Sequence, residues 1–420
     1  MNRNRFEWTL GAPPPRLQPH SAAKLSLIKH YLEQYFNTVT SIPQMEQLQI
    51  SLIDGFCGGG VFEDSNGGNV SGTPMIMLQS IKDAEKRINQ ERHKKLTINA
   101  RYYFIDKSKP ATDYLKNEIQ NTEFLSKIID GSIQILPGKF EEKYEDIIRD
   151  IRLKAPAGRS IFLLDQCGYN RVPPSICRNI LKSLPKSEII LTFAVGWLID
   201  FVNTTPRYLK AVKPIGLNEE DIEKMIENKN NRNHRYMIQL VAEHLRHEIG
   251  APYFTPFFLR SEEAHRDLLV IHLSKHPTAR NVMVTGHWEI QNSSIHYGKA
   301  GLDMLGVEPK WIDAPPMDFG FDNSAEERTA KALREDIPYR MEDLDSHGAI
   351  THAAFLREIV NETPATYNQI NGVLHYLHKE EVIKIWTPGG KSKKLEARLK
   401  DTDRIELARQ SVFDIFKGPK

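Results

Sequence analysis

The sequence has few cysteines and no long apolar run, and these absences exclude several classes of protein. Among 420 residues there are three cysteines, Cys57, Cys167 and Cys177. They form no CxxC pair and no metal-ligand spacing, so neither a disulfide scaffold nor a metal site is expected. No apolar stretch approaches the roughly 18 to 20 residues of a membrane span, and residues 1–17 lack the apolar core of a signal peptide. We therefore expect a cytoplasmic protein.

An excess of charge of one sign is lacking as well. The net charge is only +2 although 26% of the residues are charged. Without a basic field over the whole molecule, any affinity for nucleic acid must be local. The length exceeds that of a typical single domain, so two domains are expected.

Short apolar segments alternate with helical stretches in the first half of the chain. The segments are rich in Ile, Leu, Phe and Tyr, as buried strands are, and they occupy residues 48–54, 101–106, 132–137, 160–165 and 188–194. The stretches between them have helical periodicity. Strand alternating with helix predicts parallel βαβ units, and hence an α/β fold.

The pattern changes after residue 218. A long polar helix or pair of helices over 218–249 precedes two strand-like runs, 253–260 and 267–274. The turn of about six residues between these runs is too short for a parallel crossover, so they should form an antiparallel hairpin. A mostly parallel sheet that ends in an antiparallel hairpin is the outline of a class I methyltransferase. We predict such a Rossmann-like domain over residues 1–297.

The C-terminal part has a different pattern. It predicts a helix, a second helix and then a strand-turn-strand, over residues 351–360, 366–382 and 383–399. Thr366 is suited to cap the second helix, and Thr387-Pro388-Gly389-Gly390 is a hairpin turn signal. This is the pattern of a winged helix-turn-helix. We predict a linker over 298–344 with some helix near residues 324–335, and a winged-helix domain with a basic tail over 345–420.

The segment IDGFCGGG, residues 53–60, carries the main binding signal. Asp54 ends a strand, and three glycines at 58 to 60 remove side chains that would keep a ligand from the backbone. They do not form the G-x-G-x-x-G fingerprint, which weakens a dinucleotide interpretation. The segment is similar to the S-adenosylmethionine loop of nucleic-acid methyltransferases, in which the acid accepts from the cofactor ammonium. The alternative is a glycine-rich turn whose acid satisfies backbone amides.

Asp106 ends the second predicted strand and is a candidate for binding both ribose hydroxyls of an adenosine. It lies 46 residues after Gly60, so the connection between the two strands must contain an insertion. The alternative role for Asp106 is to cap the next helix. After the third strand, the PGKF segment at 137–140 is the candidate contact for the adenine ring.

The fourth strand ends in LLDQCGYN, residues 163–170. An acid or amide at this place can accept a hydrogen bond from a target amino group, and an aromatic ring can stack on a flipped base. We assign catalytic roles to Asp165, Gln166 and Tyr169. Cys167 as a covalent nucleophile is less favoured than a buried structural thiol.

A basic segment lies in the predicted wing. Residues 384–400 contain six basic residues and one acid. Lys391, Lys393 and Lys394 are the candidates for contacting nucleic-acid phosphates, DNA or RNA; a solvated face is the equally weighted alternative.

The sequence resembles the three-Cys-motif partner proteins (TcmP), a bacterial family with a methyltransferase-like domain and, in many members, a C-terminal winged helix. The matching segments are residues 20–32, 53–60, 72–74, 104–106, 163–168, 191–194 and 273–283. The resemblance implies S-adenosylmethionine as cofactor and a partner protein that carries a three-cysteine cluster of radical-SAM type. In the family the fourth-strand motif tends to be Asp-Pro-Phe-Gly. Here it is Asp165-Gln166-Cys167-Gly168, which puts catalysis more than cofactor binding in question.

The resemblance also implies that His20 and Lys24 line the cofactor pocket, with helix-surface positions as the alternative. The complete set of predicted cofactor-binding residues is His20, Lys24, Asp54, Gly55, Phe56, Gly58, Gly60, Asp106, Lys107, Gly138, Phe140 and Asp165. The predicted reaction is methyl transfer to a nucleic-acid base. The alternatives are a degenerate scaffold that binds nucleic acid or the three-cysteine partner without methylating, and a transcriptional regulator that senses an adenosine ligand.

Overall fold

A computed structural model of the chain describes residues 6–156, 158–166, 168–230, 234–261, 266–290, 294–296, 300–302, 304, 319–321, 324–344, 349–395 and 397–408. The chain divides into two compact units, Met1–Ser293 (unit 1) and Ser294–Lys420 (unit 2). Each unit is described by itself below.

Unit 1 is built around a mostly parallel sheet. Its strands are β1 (Gln47–Asp54), β2 (Val61–Glu63), β3 (Asn69–Ser71), β4 (Thr97–Asp106), β5 (Ile133–Pro137), β6 (Arg159–Asp165), β7 (Ser187–Phe193), β8 (Tyr253–Ser261) and β9 (Arg266–Ser274). Seven of them form one sheet in the order β8-β9-β7-β6-β1-β4-β5. The five strands from β7 to β5 are parallel, whereas β9 pairs antiparallel with both β7 and β8. The predicted α/β fold and its terminal hairpin are confirmed.

Helices connect these strands. They are α1 (Pro19–Val39), α2 (Thr73–Gln90), α3 (Lys109–Gln120), α4 (Leu125–Ile129), α5 (Phe140–Lys154), α6 (Pro174–Ser183), α7 (Val195–Asp200), α8 (Pro206–Val212), α9 (Glu219–Asn230), α10 (His234–Ile249) and α11 (Pro277–Ile290), with a short 3₁₀ turn at Lys213–Ile215. The apolar strands are buried as expected for a sheet packed between helices, and every residue of β7 is buried.

The insertion predicted between the first two parallel strands is a small hairpin. β2 and β3 pair antiparallel directly after the glycines, and α2 follows them. The N-terminal segment runs beside this hairpin. The Leu17 N–H donates to the Glu63 carbonyl (2.8 Å), and the Glu63 N–H donates to the Pro15 carbonyl (3.0 Å). The chain before α1 is thereby held close to the loop that contains Gly58, Gly59 and Gly60, called the glycine loop below.

Unit 2 contains α12 (Ala325–Leu344), α13 (His352–Ile359) and α14 (Tyr367–Lys379), together with β10 (Ser294–His296), β11 (Phe319–Gly320), β12 (Ile350–Thr351), β13 (Ile383–Trp386) and β14 (Arg404–Leu407). The last three strands form an antiparallel sheet in the order β12-β14-β13. Thr366 caps α14 in a reciprocal capping box with Gln369, as the sequence predicted for the cap.

Two parts of unit 2 differ from the sequence interpretation. The helix placed near residues 324–335 extends to Leu344, because buried side chains continue at helical spacing through Ile337 and Met341. The second strand expected before residue 399 lies later, as β14. Residues 387–395 and 397–403 instead form a turn and an irregular loop, in which the Lys393 N–H donates to the Ile385 carbonyl (2.8 Å).

In the part of the chain that the structure describes, no helix is both long and apolar enough to cross a membrane.

Candidate functional site

The carboxyl ends of three neighbouring strands bring Asp54, Asp106 and Asp165 to one edge of the sheet. The chain passes from β1 to β4 and β5 on one side, then returns to β6 and β7 on the other. The direction of winding therefore reverses between β1 and β6, which is where open α/β sheets bind ligands. Burial is the main cause of the raised pKa of Asp54, and the charges of Asp165 and Asp106 at the same edge raise it a little further.

Asp54 is the most buried of the three acids, with 1% of its surface exposed. One carboxylate oxygen accepts from the Phe56 N–H (3.0 Å), and the other accepts from the Thr73 hydroxyl. Burial raises the pKa of Asp54 to about 7, although these hydrogen bonds act in the opposite direction. Asp54 is therefore poised to change protonation near neutral pH.

Asp106 joins the glycine loop to the turn that follows β4. It accepts from the Gly58 N–H (3.1 Å) and from the Ser108 N–H (2.8 Å). The cap of α3 is the Ser108 side chain, so Asp106 does not fill the capping role considered for it. A carboxylate has about four acceptor positions, and the two that remain can accept from ribose hydroxyls. The exposed Lys107 lies in the same turn.

Asp165 forms an ion pair with Lys24, a residue of α1 that is only 7% exposed. The Asp165 side chain is 35% exposed, so this carboxylate is open to solvent while its partner is not. The structure thereby brings Lys24 to the predicted site. His20 belongs to the same helix, and its side chain lies outside the described residues.

Gln166 follows Asp165 and is almost completely buried. Its Oε1 accepts from the N–H groups of Arg171 (2.9 Å) and Val172 (3.0 Å), which fixes the orientation of the amide. Its Nε2 has no hydrogen-bond partner among the described residues. A buried donor without a partner is costly, so this nitrogen is a candidate to donate a hydrogen bond to a ligand at the end of β6. Cys167 lies outside the described residues.

Tyr169 completes the loop after β6. Its ring packs against Phe193 at the end of β7, with 6.3 Å between ring centroids, and burial raises its pKa. The Ala194 N–H donates to the Gly168 carbonyl (3.1 Å). The loop after β6 is thus fastened to the end of the neighbouring strand, which limits how far Tyr169 can move.

The glycine loop makes a close contact that the sequence did not indicate. The Trp8 indole lies over Gly58 and Gly59, and a Cβ at Gly59 would be 2.2 Å from Trp8 Cδ1. The Trp8 Nε1–H donates to the Val61 carbonyl (2.9 Å). These two glycines therefore make room for an aromatic ring of the same chain. Gly60 has a φ of +78°, which favours glycine.

The remaining predicted cofactor residues directly follow β1 or β5 in the chain. The Phe56 and Phe140 rings are in contact, with centroids 6.3 Å apart, and a Cβ at Gly55 would be 2.8 Å from the Leu164 side chain. The Gly138 N–H donates to the Asp106 carbonyl (2.9 Å). The segment proposed to meet adenine is therefore joined directly to the end of β4.

No group of three or more His, Cys, Asp or Glu side chains suited to a metal ion occurs within the described ranges. The acids at the sheet edge are instead satisfied by N–H groups, a hydroxyl and a lysine.

The three lysines predicted to contact nucleic acid differ in exposure. Lys391 and Lys394 are exposed. Lys393 is buried, and its ammonium pairs with Asp403 at 2.7 Å. Burial alone would raise the pKa of Asp403, but hydrogen bonds from the Lys393 ammonium and the Lys400 N–H lower it. Lys393 therefore fastens the loop before β14, and of the three predicted lysines only Lys391 and Lys394 are exposed.

No family model matches the sequence, and no curated protein matches it either. Among solved structures, the chain is similar to a possible exported protein from Bordetella parapertussis, with 10% identity, a TM-score of 0.24, and coverage of 58% of this chain and 66% of that one. It is also similar to the Aeropyrum pernix ORC2 protein, with 11% identity, a TM-score of 0.18, and coverage of 96% and 94%. Likenesses this weak carry no functional argument.

Proposed function

We propose that unit 1 is an S-adenosylmethionine-dependent methyltransferase domain that acts on a nucleic-acid base. The observation that carries the proposal is the meeting of Asp54, Asp106 and Asp165 at the switch point of the sheet. The antiparallel hairpin β8–β9 at the end of a parallel sheet supports it, because this is the outline of class I methyltransferases.

The residues present fit the chemical groups of the cofactor. In its ionised form Asp54 would hold the ammonium group, and Asp106 has acceptor positions left for the ribose hydroxyls. The segment from Gly138 to Phe140 would meet the adenine ring. S-adenosylmethionine, when bound, supplies an activated methyl group on a sulfonium centre.

The acceptor side of the site would be formed by the loop after β6. Asp165 would accept a hydrogen bond from the target amino group, and the ion pair with Lys24 would restrain the Asp165 carboxylate. The partnerless Gln166 Nε2 donates to a base carbonyl or ring nitrogen. Displacement at a sulfonium needs mainly proximity and orientation, which positioned groups of this kind provide.

Unit 2 would bind nucleic acid as a winged helix. The support is its α13–α14 pair followed by the antiparallel sheet β12-β14-β13. The exposed Lys391 and Lys394 of the loop after β13 would contact phosphates. A protein with a three-cysteine cluster of radical-SAM type is the partner proposed from the family resemblance.

Trp8 favours a second candidate function. Its indole fills the space over Gly58 and Gly59, and both oxygens of Asp54 already accept hydrogen bonds within the chain. A domain in which such contacts replace the cofactor would be a scaffold that binds nucleic acid without methylating it.

Calorimetric titration with S-adenosylmethionine and S-adenosylhomocysteine separates the two candidates. We expect saturable binding at one site per chain, weakened at least about tenfold by Asp106→Asn, since a hydrogen bond to a charged acceptor contributes roughly 1.5–3 kcal/mol. Asp130→Asn is the matched control. Asp130 also accepts from the N–H two residues on, but it precedes β5 and so lies at the opposite edge of the sheet.

A second step tests the reaction itself. The tritiated methyl group of labelled S-adenosylmethionine should be transferred to oligonucleotides, and Asp165→Asn should lower the transfer rate about 10²-fold. Absence of saturable binding in both titrations, with nucleic-acid binding retained, would favour the scaffold and contradict the methyltransferase proposal.

A further inference from the structure

An exposed pair of aromatic rings lies on the helix that follows β7. Trp197 is 44% exposed and Phe201 is 53% exposed, and their ring centroids are 5.8 Å apart with 39° between the ring planes. Trp197 lies in α7 and Phe201 directly follows the helix, four residues on, so the two rings lie one turn apart on the same side. Large aromatic side chains contribute most when they are buried, and an exposed pair marks a surface where a ligand can cover them.

The aromatic pair is held on a rigid base. The opposite side of α7 is buried through Val195, Leu198 and Ile199. The Tyr208 hydroxyl donates to the Leu198 carbonyl (2.7 Å), which packs α8 against α7. The Lys229 ammonium donates to the Asp200 carbonyl (2.6 Å) and closes the C-terminal end of α7. The rings therefore stand on backbone that is fixed from two sides.

The pair adjoins the loop that carries the proposed acceptor residues. The Ala194 N–H, immediately before α7, donates to the Gly168 carbonyl (3.1 Å). The Asn170 Nδ2 donates to the Ala211 carbonyl near the end of α8 (3.4 Å). Gly168 and Asn170 come three and five residues after Asp165. Both α7 and α8 are thus fastened directly to the loop after β6.

The chain that directly follows the rings, up to the acidic first turn of α9, carries exposed basic residues. Between residues 195 and 217 the chain has three basic residues, Arg207, Lys210 and Lys213, and one acid, Asp200. All three basic residues are exposed, on α8 and the turn that follows it. The Thr205 N–H donates to the Asn203 Oδ1 (2.9 Å) and the Asn203 Nδ2 donates to the Phe201 carbonyl (2.7 Å), so a tight turn joins α7 to α8.

We propose that this surface, formed by Trp197, Phe201, Arg207, Lys210 and Lys213, binds single-stranded nucleic acid. Bases stack on the two aromatic rings, and phosphates lie beside the three cations. A single strand fits this surface better than a duplex, because a duplex conceals the faces of its bases. In naming single-stranded nucleic acid as the substrate class, the inference rests on the proposed methyltransferase function, although strand binding itself needs no cofactor.

The test measures the anisotropy of fluorescent dT20 and U20 strands, without cofactor, on the full chain. A Lys391→Ala/Lys394→Ala background removes the proposed phosphate contacts of unit 2. In that background, Trp197→Ala/Phe201→Ala should weaken strand binding at least about tenfold, since stacking contributes roughly 1–3 kcal/mol per base. Trp197→Phe should retain most of the affinity. The matched control is Ile129→Ala/Leu153→Ala, which truncates two exposed apolar side chains elsewhere in unit 1.

Strand affinity that is unchanged by Trp197→Ala/Phe201→Ala would overturn the inference, as would equally tight binding of a duplex of the same length. Loss of strand binding in the Ile129→Ala/Leu153→Ala control to the same degree would also overturn it. Titration of the Trp197→Ala/Phe201→Ala variant with S-adenosylmethionine distinguishes the proposal on strand binding from the proposal on cofactor binding. It should match the unsubstituted chain, so a failure of strand binding would leave the cofactor result standing.

Discussion

Helix α1 contributes to two polar clusters of unit 1, and they differ in access to solvent. Near its start, Lys24 pairs with Asp165 at the carboxyl end of β6, where the Asp165 side chain is 35% exposed. Two turns later, Tyr31 donates to Glu188, a residue of β7. His272 of β9 completes this second cluster, which we call the inner cluster (Tyr31, Glu188 and His272). The His272 Nε2 lies 3.2 Å from the Glu188 carboxylate and 3.1 Å from the Tyr31 hydroxyl.

The inner cluster is closed to ligands. The side chains of Glu188 and His272 are 8% and 1% exposed, and Tyr31 is 1% exposed. Burial raises the pKa of Tyr31, and the charge of Glu188 raises it further. Hydrogen bonds join the three groups, so removing one leaves buried polar atoms of the others without that partner. Similar residue types therefore stabilise the fold in the interior and are available for binding at the edge of the sheet.

The largest expected effect is on the inner cluster. Glu188→Ala should lower the free energy of unfolding by roughly 3–5 kcal/mol, because it breaks a buried hydrogen-bonded set. The measurement is urea denaturation of the full chain, monitored by far-UV circular dichroism. Glu123→Ala is the control, since Glu123 pairs with Lys82 on the surface, where both side chains are about half exposed. A Glu188→Ala midpoint equal to that of the control would contradict the comparison.

The next effect is a pH dependence at Asp54, whose pKa in the folded protein is about 7 against 3.8 in the unfolded chain. The folded state therefore holds this proton more tightly. Its contribution to stability is complete below about pH 4 and is lost as the pH rises through 7. With about 1.4 kcal/mol for each pKa unit, the advantage of the unsubstituted chain over Asp54→Asn should fall by on the order of 4 kcal/mol between pH 4 and pH 8.

Melting temperatures of both proteins at pH 4, 5, 6, 7 and 8 measure this difference. The same ionisation should affect the cofactor, since an ionised Asp54 attracts its ammonium. Affinity for S-adenosylmethionine should rise up to about tenfold per pH unit below pH 7 and level off above it. In Asp54→Asn the affinity should be nearly independent of pH. A parallel rise in both proteins would exclude Asp54 as the responsible group.

The smallest effect on stability is expected for the ion pair of Lys24 and Asp165 at the edge of the sheet. Lys24→Met should change the free energy of unfolding by about 1 kcal/mol or less, because the Asp165 carboxylate that loses its partner is open to solvent. Methyl transfer should respond far more, with a loss of about 10² in rate for Asp165→Asn if the carboxylate accepts from the target nitrogen. A large loss of stability with normal transfer would place this pair with the inner cluster.

Features that depend on residues close together in the chain could be predicted from the sequence. Each of β1, β4 and β6 is an apolar run that ends in an aspartate, so neighbouring parallel strands had to bring Asp54, Asp106 and Asp165 to one edge. The hairpin β8–β9 followed from a turn too short for a crossover. The cap at Thr366 followed from a threonine placed directly before a helical pattern; the reciprocal bond from Gln369 was seen only in the structure.

Contacts between distant residues could not be predicted in the same way. Trp8 meets a loop about 50 residues away, and nothing in its neighbourhood indicates that contact. Lys24 was named only through a family resemblance, because its partner Asp165 lies 141 residues further along the chain. Lys393 resembled its exposed neighbours in a basic run until the fold placed Asp403 beside it.

Hydrogen–deuterium exchange with and without S-adenosylmethionine tests most directly that the sheet edge is the ligand site. We predict slower exchange in the peptides that cover residues 54–60, 104–108 and 165–171, and no change in the peptide that covers β9 with His272. Slower exchange only around β9, or no difference anywhere at saturating cofactor, would contradict the account.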